Sequence, residues 1–252
     1  MKIKGKIPNP RKIQSLPIQS SLYELRPDIE RNYRGLQNLS FIYESDGEIV
    51  AQLLPDCFEI EEAPTVTFSF SQTDYSLAGA YLMANLAVEV SHENLKLKLD
   101  LRQFITSTVP IVVGRELLGV AKVDGQVEIN RGPSSPLVSA KLFRPSEHLL
   151  ATAVFQPTQY HGEQARSISH RIGVRAMPGL SMDGDPDICE LTRFESESWG
   201  AELWTGRGTL KFTEASDIDP IHLAPVRRML ECRYSLGGWS RTTISRGGST
   251  KL

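Results

Sequence analysis

Residues 109–125 read VPIVVGRELLGVAKVDG, and one lysine, Lys122, stands there between Val120-Ala121 and Val123. Withdrawing an ammonium group from water is costly unless it is paired or loses its proton. Lys122 therefore either reaches solvent or serves as a neutral amine, which is a nucleophile toward a carbonyl carbon. Arg115 and Glu116 are the nearest charged groups before it. On residue type alone the solvent reading stands open beside the catalytic one. Lysines are seldom fully buried, and Gly119 and Asp124-Gly125 could bracket a simple hairpin.

Other residue types offer weak competition. No GxSxG or HExxH occurs, and His92, His148, His161, His170 and His222 have no obvious nucleophile or metal-ligand partners by spacing. SMDGDPD (181–187) lacks the order of a calcium loop and reads as an acidic turn. Cys57, Cys189 and Cys232 are odd in number and far apart, which suits reduced thiols in a cytosolic setting. The final Thr-Lys-Leu is a loose relative of the Ser-Lys-Leu peroxisomal address, so that location is the lesser alternative to the cytoplasm.

The elements that must position Lys122 follow from periodicity. The chain has 252 residues, 40% of them hydrophobic and 23% charged, with a formal net charge of −2. That is enough for one large domain with a real core, and it argues against a nucleic-acid partner. No apolar run is long enough for a membrane span. The first 35 residues are proline-rich and polar, an arm. EIVAQLLP (48–55) has helical spacing. TVTFSFSQ and LKLKLDL (95–101) alternate as strands, and VPIVVG reads as a buried strand. PLVSAKLF (136–143), LLATAVFQ (149–156), ISHRIGVRA (168–176) and 188–212 add further strands. DPIHLAPVRRMLECRY (219–234) reads as partly helical, with Pro225 in a first turn. Many strands with few helices predict a mostly-β (β-rich α+β) domain over 36–240, closed or strongly curved, between the arm (1–35) and a tail (241–252).

Several stretches resemble the acetoacetate decarboxylase-like superfamily in order. GRELLGVAK (114–122) is similar to the segment carrying that family's Schiff-base lysine, and PDICEL (186–191), ELWTGRGTLKF (202–212), LAPVRRML (223–230) and LLPDCFEIEE (53–62) match further segments. The resemblance implies a cone-shaped β-barrel with a few peripheral helices, a homo-oligomer, and no metal or organic cofactor. It carries the nucleophile onto Lys122 and its positioning segment onto Gly114, Arg115, Glu116 and Leu117. In the catalytic reading Lys122 acts with Arg115 and Glu116.

This chain departs from the family at several positions. The lysine that follows the nucleophile is Val123 here, so desolvation must supply most of any fall in pKa. Met83, in YLMANLAVEV, stands where the family has a pocket glutamate, and Ser69 replaces a second carboxylate. On a strand, residues 83, 85, 87 and 89 share a face, so Asn85 and Glu89 join Tyr81, Met83 and Ser69 as expected pocket residues. Tyr43 is a further proton-transfer candidate. The family's early arginine falls on Leu36, or on Arg34 after a shift. These changes predict a less acidic, more apolar pocket. The expected activity is a Schiff-base lyase, a decarboxylase of a β-keto acid or polyketide-like substrate larger than acetoacetate. An aldolase-dehydratase or cyclase of specialised metabolism using the same imine is the alternative, and a silent barrel binding an apolar molecule is the third reading.

Overall fold

The computed structural model describes residues 3–4, 20, 31–180, 184–213 and 215–251, excluding the side chains of 245–251. Most of the predicted arm, part of the 181–187 turn and the C-terminal tripeptide's side chains lie outside the described residues. The strands are β1 (Arg31–Arg34), β2 (Gln37–Glu44), β3 (Thr65–Thr73), β4 (Tyr75–Ser76), β5 (Tyr81–His92), β6 (Leu95–Ile105) and β7 (Lys122–Asp124). They continue with β8 (Gln126–Arg131), β9 (Val138–Phe143), β10 (Leu149–Glu163), β11 (Ser167–Met177), β12 (Ile188–Phe212) and β13 (Arg228–Lys251). The helices are α1 (Gly47–Val50), continued by a 3-10 turn at Ala51–Leu53, and α2 (Thr108–Leu118).

A ring runs β13-β2-β3-β5-β6-β11-β12, and β12 pairs back onto β13 to close it. All its pairings are antiparallel except β6–β11. Closure removes exposed edges and leaves an interior. Beyond β12 the sheet continues through β10, β9 and β8, and β8 packs on β3, β5 and β6. Each wall strand therefore serves two environments. On β3, Val66, Phe68 and Phe70 enter the hydrophobic core shared with Ala140, Leu142 and Phe155, while Thr67, Ser69, Ser71 and Thr73 face the ring's interior. The mostly-β fold with few helices is as predicted. Among the described residues no helix is long and apolar enough to cross a membrane.

Two segments fold differently from their sequence reading. VPIVVG is the body of α2, not a strand. Ser107 precedes it in extended conformation, Pro110 sits in the first turn where a missing N–H costs nothing, and Gly119 (φ +63°) ends it in the left-handed region. The β-branched run misleads because helix propensity differs by only tenths of a kcal/mol per residue and tertiary packing overrides it. Residues 219–234 hold only a 3-10 turn, Ile221–Leu223, before β13 begins at Arg228. There β13 pairs with β2, and Cys232 and Tyr234 are buried. The helical expectation at 48–55 is met by α1 and its 3-10 continuation.

Candidate active site

The ring encloses a cavity of about 450 Å³. One row of cross-strand partners crosses its wall from Lys122 to Gln103, Asn85, Ser69, Ser40 and Arg233. All six line the cavity. A bulge in β6 makes part of this row possible. Leu86 pairs with Arg102 but Ala87 pairs with Asp100, so β6 carries one extra residue. Leu97 and Leu99 enter the core before the bulge and Phe104 after it. The shift of alternation lets both Asp100 and Gln103 face the cavity.

Lys122 is seated by the end of α2. A Cβ placed on Gly114 would lie 2.3 Å from Lys122 Cδ and 2.4 Å from Cε, so the lysine stem runs over a helix surface that only glycine leaves open. Gly119 is equally constrained, since a Cβ there would meet the backbone of Val174 and Arg175 at 2.5 Å. Arg115 Nη1 donates to the Lys122 carbonyl at 3.1 Å. Arg175 Nε donates to the Glu116 carbonyl at 2.6 Å, and the Thr192 hydroxyl donates to the Leu118 carbonyl. The GREL segment is thus clamped to β11 and β12. Leu118, Val120 and Phe194 form a small apolar cluster at the same side of the cavity.

Lys122 is half-buried and lines the cavity, and the surrounding protein desolvates it. That burial is the main reason its pKa falls from the usual lysine value to about 8. Asp100 opposes the fall, while Arg171 and Arg31 reinforce it. Among the described residues no hydrogen bond or ion pair reaches its amine. Asp100 is itself engaged, receiving an ion pair from Arg171 and a 2.9 Å hydrogen bond from Asn85 Nδ2. Lys98, whose pKa burial also lowers, donates to Thr67 Oγ1 at 3.3 Å.

The sequence-predicted residues divide. Lys122, Ser69, Tyr81, Met83 and Asn85 line one cavity; burial raises the Tyr81 pKa well above the usual phenol value. Glu89 is exposed and lies outside the lining. Arg115 and Glu116 also lie outside it and act here on the backbone that carries Lys122. Tyr43 points into the core instead, with its hydroxyl donating to the Ala224 carbonyl at 2.9 Å. Leu36 lines the cavity, and the Arg34 guanidinium stacks 3.5 Å above Trp239. The expected apolar pocket is corrected: among the described residues, serines, threonines and amides dominate the wall, with Lys98, Lys122, Arg171 and Arg233 against one carboxylate, Asp100. Sequence reasoning missed Asp100, Gln103, Lys98, Arg171 and Arg233. The alternation in LKLKLDL was visible, but a charged strand face looks the same toward water as toward a closed interior.

The acetoacetate decarboxylase family model matches residues 17–246. The chain belongs to this family. It is 29% identical over 244 residues to the decarboxylase DEC1 of Cochliobolus heterostrophus, covering 95% of this chain and 96% of that one. It is 23% identical over 224 residues to the acetoacetate decarboxylase of Clostridium acetobutylicum, covering 88% and 89%. Among solved folds, an acetoacetate decarboxylase superposes with a TM-score of 0.76 at 19% identity, covering 94% of each chain. The enduracididine biosynthesis enzyme MppR, complexed with the condensation product of pyruvate and imidazole 4-carboxaldehyde, superposes at 0.67 with 16% identity, covering 94% of this chain and 95% of that one. These relatives support a decarboxylase or related lyase.

Proposed function

We propose that this protein is a lyase that binds a β-keto acid as an imine on Lys122 and releases carbon dioxide from it. The observation that carries the reading is an amine with no ion pair among the described residues, held against Gly114 inside a cavity, with its pKa lowered to about 8. At pH 7 about one part in ten of such an amine is neutral, against well under one in a thousand for an ordinary lysine. The neutral nitrogen attacks the ketone to give a carbinolamine, and loss of water leaves a protonated imine. The bond to the carboxylate then breaks, its electron pair moves toward nitrogen, and carbon dioxide leaves behind an enamine. Protonation at carbon and hydrolysis return the free lysine. The surplus of basic groups in the wall attracts an anionic substrate. The cavity has the volume of sites that take drug-sized ligands, more than acetoacetate fills, which supports a larger keto acid.

Condensation or dehydration through the same imine is the second reading, favoured by the hydroxyl- and amide-rich wall. Borohydride added with a keto acid should leave a reduced adduct on Lys122, located by peptide mass. Normal turnover by Lys122→Ala would refute the imine, and absence of carbon dioxide among the products would select the second reading.

A further inference from the structure

Two amides beside Lys122 are buried and incompletely bonded. Asn85 is 9% exposed and Gln103 6%, yet Asn85 Oδ1 and Gln103 Oε1 have no hydrogen-bond partner among the described residues. A buried acceptor left in this state is costly. Both residues line the cavity, are paired across β5 and β6, and Gln103 pairs in turn with Lys122. For Asn85 the orientation is decided chemically. Its Nδ2 donates to Asp100, and the flipped amide would turn an oxygen toward that carboxylate. Arg171 holds Asp100 from the other side, so Asn85 presents an oxygen that must accept.

We propose that Asn85, supported by Gln103, forms a subsite that accepts a hydrogen bond from a hydroxyl group next to the reacting carbonyl, so that the preferred substrates are hydroxylated keto acids. Neighbouring strands lie about 4.8 Å apart, so the Asn85 backbone stands two strands, roughly 10 Å, from that of Lys122, a gap that the extended lysine side chain and a bound keto acid span between them. A hydroxyl fits better than an ammonium group because, among the described residues, the wall already carries four basic side chains against one acid. Asp100 is then a positioning residue, since it forbids the amide flip. The inference rests on the imine reading only for the location of the reacting carbon.

The test separates the two. Dissociation constants for acetoacetate and for its 4-hydroxy derivative are measured with Lys122→Ala protein, in which no imine forms, with protein-free controls for spontaneous decay. The hydroxylated acid should bind roughly tenfold more tightly. Adding Asn85→Leu should bring the two constants within about twofold, and Asn85→Ala gives the same comparison without added bulk if leucine disturbs the fold. Adding Asp100→Asn should weaken the preference by freeing the amide to flip. Equal binding of both acids, binding of neither, or a preference that survives loss of the Asn85 oxygen would overturn the subsite. Borohydride trapping on the unaltered protein reports independently on the imine.

Discussion

Replacing Gly114 by alanine should separate catalysis from stability. The new Cβ would stand 2.3 Å from Lys122 Cδ, 2.4 Å from Cε and 3.0 Å from Nζ. Ordinary contact begins at about 3.4 Å, so the stem must move by about 1.1 Å. It can do so by rotating flexible torsions, because the obstacle is a side chain and not backbone. The fold is therefore spared, and alanine inside α2 gains about 0.5–1 kcal/mol over glycine. The displaced amine bears the cost. A misplacement near 1 Å at a reacting atom is worth about 10²-fold in rate. Gly114→Ala should show an unchanged or slightly higher melting temperature, with borohydride trapping and kcat/KM lowered about 10²-fold. A variant that traps substrate at the original rate would refute the placement of the stem against α2 or the assignment of Lys122 as nucleophile.

Three other outcomes follow from the charges around Lys122. Trapping should rise with pH as the ammonium loses its proton, with a midpoint near 8; a midpoint near 10.5 would place the amine in water. Because the folded pKa is lowered, the unfolded chain holds more protons between about pH 8 and 10.5, and the penalty from Lys122 is present below that window and fades as pH rises through it. Lys122→Met should thus raise stability at pH 7 by up to about 3 kcal/mol, and the gain should disappear above pH 10.5 in urea titrations. Asp100→Asn removes the negative charge that holds the lysine pKa up, so the trapping midpoint should move below 8. The same change strands Arg171, and a melting temperature that does not fall would argue against their ion pair.

Lys122 was readable in the sequence as the proposed nucleophile because two signals coincided there: apolar neighbours and a GREL segment ahead of it. The strands read at 136–143, 149–156 and 168–176 are found as β9, the first half of β10 and β11. Its failures have distinct physical causes. Val109, Ile111, Val112 and Val113 carry strand propensity but form helix, since packing outweighs tenths of a kcal/mol. Glu89 shares the face expected from strict alternation yet lies beyond the enclosed part of the wall, and no periodicity reports where an interior ends. Asp100 and Gln103 differ by three residues, so a regular strand would send them to opposite faces. Only the pairing across β5 and β6 reveals the extra residue that reunites them.

The wall of this barrel is one strand thick, and its two surfaces answer to different selective pressures. Thr67, Ser69 and Ser71 meet whatever enters the chamber, while Val66, Phe68 and Phe70, alternating with them, meet only the protein's own interior. A lineage can therefore exchange one set while the other stands still. Chemical repertoire and heat resistance are free to drift apart during evolution, and a library confined to inward positions should explore new chemistry with few unfolded members.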